Sequence, residues 1–320
     1  MNADAQTKRL SALSLLGLLE VVCMMALLAT AAGFFARFWW MLELTTHFRP
    51  HLAVVILALA GFWAWRRRWR WVAVCSAGCL LNLLVILPHF FTGRATRASG
   101  SSLFRIVSLN VHTSNPQSDL VLSFLREANA DIVLLMEVDD AWMQNLAAWS
   151  ATYPHQVVEP REDNFGIAVF SRVPWTNSTV MEFGSAGVPS VVADLQLSGR
   201  QIHFIGTHPL PPGTASYSAQ RNEQLNKLAE HTRGITNAVV LAGDLNTTPW
   251  SPCFTDLLKA SGLRDGSKGF GASGSWPAFL PAGKIPIDHC LMSPEVGVVR
   301  RRLGPSVGSD HLPLIWTLAY

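Results

Sequence analysis

The sequence predicts an α/β protein in two unequal parts: an N-terminal transmembrane helical region, and behind it two packed mixed β-sheets covered by helices. Three observations carry that reading. Residues 1–91 hold long apolar runs broken by arginine and tryptophan, residues 104–320 alternate short β-rich runs with segments of helical spacing, and polar side chains stand at the ends of those runs. At 320 residues the chain exceeds a prior of about 150 per domain, so one large core or two unequal parts are expected.

Composition divides at the same place. The net charge of +3 is the sum of +7 over residues 1–103 and −4 over 104–320. An acidic soluble part is a poor coat for nucleic acid, because phosphate neutralisation takes a basic surface. The five cysteines are scattered at 23, 75, 79, 253 and 290 without a CxxC pair, so neither a zinc motif nor a disulfide framework is expected. Cys253 and Cys290 are the pair open to meeting in space; buried free thiols are the ordinary alternative.

Leu10–Phe35 is a run of 26 residues whose only charge is Glu20, longer than the roughly 20 that cross hydrocarbon. His51–Trp65 is shorter, but it ends in Trp63 and Trp65 beside a cluster of arginines at 66–68 and 70, the marks of a headgroup boundary. Trp71–Phe91 gives a third span. Lys8, Arg9 and the arginines of 66–70 place the chain's start and the 66–70 loop on the cytoplasmic side, so three crossings put the soluble domain in the periplasm of a bacterial inner membrane. Glu20 is read as facing the other helices rather than as part of a relay.

Residues 92–103 are rich in Gly, Ser and Thr and form a linker. Strands are expected at 104–110, 131–136, 166–171, 190–197, 201–207, 238–243, 287–292 and 312–318. Helices are expected at 117–129, 140–149, 216–232 and 252–260, the last capped by Ser251. The turn at Ser198-Gly199 makes a hairpin, which with neighbouring strands argues for mixed sheets with antiparallel pairs.

Asn110, Glu137, His208, Asp244, Asn246, Asp288, Asp310 and His311 all lie at an end of these apolar runs. Strands fix a side chain while the loop beyond opens to solvent, so several such ends on one rim make a preorganised polar site. Glu137 supplies hard oxygen for Mg²⁺, which prefers one or two carboxylates with phosphate oxygens and water. Its competing structural reading is a cap for the helix at 140. Asp244 and Asn246, two apart on an extended segment, face one side, and Gly243 removes the side chain that blocks a ligand's approach. The competing reading there is a tight turn. His208 has a bland alternative, an imidazole satisfied by a backbone carbonyl. His311 needs a carboxylate to fix its tautomer, and spacing leaves both Asp288 and Asp310 open as that partner. His289 reads as structural.

These elements, in this order and together with Ser275-Trp276-Pro277, resemble the endonuclease/exonuclease/phosphatase superfamily over residues 104–320, and within it the membrane-anchored bacterial branch. The resemblance implies a four-layer α/β sandwich and Mg²⁺-dependent phosphoester hydrolysis, with Mn²⁺ as the alternative ion. It makes Glu137 the principal metal ligand, Asn110 a support of metal or phosphate, and Asp310 a neighbour of the metal or the water. Asp244 then positions the water, Asn246 and His208 contact phosphate, and His311 pairs with Asp288. Two departures count against abasic-site repair: Val111-His112 follows Asn110 where repair enzymes carry an acid two positions on, and their tyrosine has no counterpart here. The expected function is a membrane-anchored phosphodiesterase or phosphatase. The alternatives are a nuclease acting on extracytoplasmic nucleic acid and an inactive binding scaffold. The expected partners are a phosphoester substrate and the lipid bilayer, with nucleic acid a candidate and no obligate protein partner.

Overall fold

A computed structural model describes residues 3–91, 102–271 and 273–320, with the side chains of 3–14 left out of the description. The chain divides into two compact units, Met1–Pro88 and His89–Tyr320. The expected linker falls outside the described residues except for its end. There Leu103 is in a strand opposite Ala319 and the Ser102 N–H donates to the Tyr320 carbonyl at 2.8 Å.

The first unit is helical: α1 (Ala3–Ala32), α2 (Trp40–Thr46), α3 (Arg49–Trp65) and the bulk of α4 (Trp69–Phe91). Two segments, Leu15–Phe35 and Trp69–Phe91, are long and apolar enough to cross a membrane; α2 and α3, bent by 64°, make a third if they count as one span. The expected run His51–Trp65 lies within α3, which on its own is shorter than the other two candidates. Pro50 stands in the first turn of α3, where a missing N–H and a fixed φ are tolerated, and it prevents α2 from running on into α3. Cys23, Ile56, Trp63 and Cys75 are fully buried between the helices, and Trp63 stacks on Trp71 at 5.7 Å. Cys23 and Cys75 bring their sulfurs within 3.2 Å, Cys253 Sγ meets the hydroxyls of Thr247 and Ser251, and none of the five cysteines is in a disulfide. Glu20 pairs with Arg68 of the loop between α3 and α4. The charge of this acid is thus answered by one of the arginines read as a headgroup marker.

The second unit opens with β1 (Leu103–Asn110), α5 (Ser118–Ala128), β2 (Ile132–Met136), α6 (Asp140–Ser150), β3 (His155–Glu159) and β4 (Ile167–Ser171). Then come β5 (Trp175–Glu182), β6 (Pro189–Leu197), β7 (Arg200–Thr207), α7 (Ala215–Arg233), β8 (Ala238–Asp244) and α8 (Pro252–Ser261). The chain closes with β9 (Arg264–Asp265), β10 (Asp288–Met292), β11 (Gly297–Leu303) and β12 (Leu314–Ala319). These strands form two six-stranded sheets, ordered β11-β12-β1-β2-β4-β3 and β5-β6-β7-β8-β10-β9. Four strands escape the sequence reading. Exposed β3 and β5, two-residue β9 and arginine-rich β11 lie at or next to sheet edges, where a continuous apolar run is not needed.

Period-2 alternation sorts each central strand between two cores. Ile132, Leu134 and Met136 of β2 face Phe204, Val240 and Ala242 of the other sheet, whereas Val133 and Leu135 turn outward beneath α5 and α6. On the second sheet Val239 and Leu241 turn outward beneath α7 and α8. Helix, sheet, sheet, helix are the four layers expected. The hairpin at Ser198-Gly199 is present, both residues at positive φ as a tight two-residue turn requires.

Candidate active site

Both sheets deliver polar groups to one rim. β1 and β2 run parallel with Asn110 level with Met136, so Asn110 and Glu137 leave adjacent strands side by side. In the other sheet β10 runs antiparallel to β8 and places Asp288 directly opposite Asp244. His208 follows β7 immediately, and Asp310-His311 precedes β12.

The turn-outs are sharp. Glu137, His112 and Asn246 have φ of +61°, +59° and +50°. A side chain held in the left-handed region costs on the order of 1–3 kcal/mol where the residue is not glycine, and such strain concentrates at functional sites. Glu137 is not a helix cap: Asp139 fills that role, accepting from the Trp142 N–H at 2.7 Å. Gly243, at φ +148°, serves a purpose different from the one expected. A Cβ there would stand 1.8 Å from the Thr207 carbonyl oxygen, so glycine makes room for the neighbouring backbone and not for a ligand.

The amide Nδ2 of Asn110 donates to Glu137 Oε1 at 2.8 Å while its Oδ1 accepts from the His112 N–H at 3.0 Å. The Thr113 N–H donates to Glu137 Oε2 at 3.4 Å. Asp310 Oδ2 accepts from Trp276 Nε1 at 2.9 Å, and its Oδ1, buried, has no hydrogen-bond donor. His112 Nδ1 lies 3.4 Å from Asp310 Oδ1 and 3.7 Å from Glu137 Oε2. An imidazole thus stands between the two carboxylates, at the position where repair enzymes place an acid.

Deeper in, His311 Nδ1 donates to Asp288 Oδ2 at 2.8 Å, which settles the partner that spacing left open: it is Asp288 and not Asp310. Asp244 Oδ2 is 3.5 Å from His311 Nε2, 3.6 Å from His208 Nε2 and 3.5 Å from Asn110 Nδ2. Asp244, Asp288 and His311 offer ligand atoms within 4.8 Å of one another. His208 packs against Phe165 with ring centroids 5.4 Å apart and the rings tilted by 38°, and among the described residues its Nδ1 has no hydrogen-bond partner, contrary to the backbone-satisfied alternative.

Asn246 departs from expectation. It does not share an extended segment with Asp244: its N–H donates to Asp244 Oδ1 at 2.9 Å across a turn, and its Nδ2 donates to the Pro209 carbonyl at 2.9 Å. The tight-turn reading thus describes this backbone, and the amide expected on phosphate braces the loop after His208. His289 is structural, Nε2 held by the Thr247 carbonyl at 2.8 Å. Ser251 stands at the N-cap of α8, but its hydroxyl meets Cys253 Sγ at 3.1 Å.

Burial sets the protonation pattern. The carboxyl of Asp244 is pushed up to about 8 by burial and by the facing Asp288. For Asp288 burial works upward too, but the charge and hydrogen bond of His311 outweigh it and hold the group below the usual carboxylate range. Burial alone would depress His311; Asp288 and Asp244 overturn that and raise it to about 10. His208, wholly buried, is lowered by burial despite Glu137 nearby and stays neutral.

Several contributors were given no role by sequence reasoning. Ser309 Oγ donates to the Asn110 carbonyl at 2.7 Å, Arg221 Nη1 donates to the Asn246 carbonyl at 2.9 Å, and Phe165, His112 and Trp276 touch site residues as described. His112, Trp276 and Ser309 left a signal, the first beside Asn110, the second inside the Ser-Trp-Pro element and the third at the head of Ser309-Asp310-His311, whereas Arg221 and Phe165 left none.

Fold and rim together define an α/β sandwich whose site combines carboxylates, amides and imidazoles, the donor set that serves chemistry at phosphate. The chain belongs to the Endonuclease/Exonuclease/phosphatase family, whose model matches residues 107–311. Members of that family are typically phosphoesterases or nucleases and use divalent metals. Among solved structures, TDP2 of D. rerio complexed with a single-strand DNA product is 18% identical, over 68% of this chain and 99% of that one, at a TM-score of 0.58. An endonuclease/exonuclease/phosphatase family protein of Bacteroides thetaiotaomicron is 16% identical over 69% and 98%, at 0.57. One from Beutenbergia cavernae is 21% identical over 70% and 72%, at 0.53. At these identities the likeness establishes the fold. Among curated proteins nothing matches the chain.

Proposed function

We propose that the chain is a membrane-anchored, Mg²⁺-dependent phosphoester hydrolase that directs water at phosphorus. The observation that carries this reading is the convergence of Glu137, Asp310, Asp244, His208 and the Asp288–His311 pair on one rim.

The residues fit a hard divalent cation. Glu137 and Asp310 are half-buried carboxylates at the mouth, separated by His112, and Asp310 Oδ1 has no donor to satisfy it. We assign the cation to these oxygens, with Mn²⁺ as the alternative to Mg²⁺. Asn110 holds Glu137 in place rather than ligating. Bound there, the cation would supply Lewis-acid polarisation of a phosphoryl oxygen and neutralise charge. The Asp244, Asp288 and His311 trio has the spacing of a metal cluster too, but we assign it to proton chemistry. Asp288 drives His311 into its cationic form, which has no lone pair to give.

That protonation state separates the two candidates for water activation. His311 at about 10 is a donor at neutral pH and offers Nε2–H to a nonbridging oxygen. Asp244 at about 8 titrates near the working pH and is the general base. Neutral His208 donates a second hydrogen bond to phosphate, and Phe165 fixes its ring.

Candidate spans by composition support anchoring, and the arginine distribution supports a periplasmic site in a bacterial inner membrane. The test uses the full-length chain in detergent with bis-p-nitrophenyl phosphate. Hydrolysis requires Mg²⁺; persistence in EDTA, or in both Glu137→Ala and His311→Ala, would refute the mechanism and favour the binding scaffold. DNA, RNA, phospholipid and sugar phosphate compared on the same preparation separate a nuclease from the other phosphoesterases. A reporter fused after Tyr320 reads topology, and activity confined to the cytoplasm overturns the periplasmic assignment.

A further inference from the structure

The outer face of the second sheet holds a cluster that the rim does not use. Asp194 of β6 and His203 of β7 are cross-strand partners, and Asp194 Oδ1 accepts from His203 Nδ1 at 2.8 Å. The other nitrogen, His203 Nε2, lies 3.1 Å from Nε2 of His231 in the last turn of α7. His203 is buried and His231 half-buried, with the Phe183 ring 5.2 Å away.

A carboxylate on Nδ1 leaves the lone pair of His203 on Nε2, the arrangement by which metal-binding histidines are oriented. Zn–N bonds of about 2.0–2.1 Å place two ligand nitrogens about 2.9 Å apart at a right angle and about 3.4 Å apart at the tetrahedral angle. The observed separation lies between these. Without a cation the same geometry is one Nε2–H···Nε2 hydrogen bond, with His231 the donor. Burial, then the neighbouring His203, keeps His231 below the usual imidazole range, so a lone pair is obtained by moving its single proton to Nδ1. The set is chemically unlike the rim: paired imidazoles suit borderline transition cations, whereas carboxylate oxygens suit Mg²⁺. It is also remote from it, since His203 precedes His208 by five residues of extended chain, about 16 Å.

We propose that His203 and His231 form a second cation site, holding Zn²⁺ or a similar transition ion on their paired Nε2 atoms, with Asp194 as the outer carboxylate and water completing the shell. Such an ion ties α7 to β7. The same helix carries Arg221, bonded to the Asn246 carbonyl, and Gln224, which donates to Thr207 Oγ1 at 3.1 Å, so the clip stiffens the wall behind His208.

The test is a Zn²⁺ titration of the EDTA-stripped full-length chain against a chromogenic chelator, run with thermal melting and Cu²⁺ paramagnetic resonance. Glu137→Ala, which weakens the rim site, is expected to retain a zinc equivalent, a Zn²⁺-dependent rise in Tm and a Cu²⁺ spectrum showing two imidazole nitrogens. Adding His231→Ala or His203→Asn to Glu137→Ala removes all three, and adding Asp194→Asn weakens binding by about 10- to 100-fold. His231 is half-buried, so His231→Ala is expected to fold and to keep its Mg²⁺-dependent hydrolysis. Zinc retained when either histidine change is added to Glu137→Ala overturns the proposal, as does the absence of this equivalent from Glu137→Ala itself.

Discussion

Asp288 stands directly opposite Asp244 in the antiparallel ladder of β8 and β10, two buried carboxyls in one register, with His311 bonded to the first and 3.5 Å from the second. Two like charges so placed cannot both ionise without help, and the protein resolves this by giving Asp288 the imidazolium and leaving Asp244 the proton.

The consequence in the cation-free protein is a stability that falls as pH rises. Asp244, raised to about 8, binds a proton in the folded state that the unfolded chain has already released above about 4, so folding is disfavoured progressively through 8. His311, raised to about 10, contributes stability that is complete below about 6.5 and lost as pH climbs through 10. The depressed Asp288 acts on the other side, its contribution being lost only in acid below about 4. Thermal melts in EDTA from pH 6 to 9 should show Tm decreasing, with a smaller decrease in Asp244→Asn. A Tm that rises over this range contradicts the assignment.

Cation affinity is expected to move the opposite way. The ionised form of Asp244 adds negative charge beside Glu137, so Mg²⁺ affinity measured by calorimetry increases from pH 6 to 8. Glu137→Gln should lower hydrolysis by at least about 100-fold, near 2.7 kcal/mol of transition-state stabilisation, with the fold intact. An equal Mg²⁺ affinity in Glu137→Gln removes it as a ligand.

Asp288→Asn and His311→Asn remove two ends of one device. Each is expected to reduce kcat by about 10²–10³-fold, and the double variant to lose little beyond the worse single one. Fully multiplicative losses mean that the two side chains act independently.

Gly243→Ala tests the backbone. At φ +148° with the Thr207 carbonyl oxygen 1.8 Å from the added carbon, alanine forces β7 and β8 apart one residue past the Gly206–Ala242 pair, at the ends from which His208 and Asp244 leave the two strands. Destabilisation of about 3 kcal/mol or more in urea unfolding is expected. Wild-type stability there means that the turn relaxes without cost.

The apolar runs and their period were enough to place the central strands of the two sheets and the helices, and the polar residues at their ends named the candidates that meet on the rim, because burial of alternate side chains is written locally along each strand. Which carboxylate serves His311, the commitment of Asn246 to Pro209, and the place of His112 between Glu137 and Asp310 were not legible. Edge strands β3 and β11 hid for a related reason: an exposed face need not be apolar. Order along the chain determined which residue types stand at the strand ends. Only the antiparallel register of β8 with β10, and the seating of the β12 approach against them, decided which groups meet, since pairings between residues distant in sequence depend on how whole sheets pack.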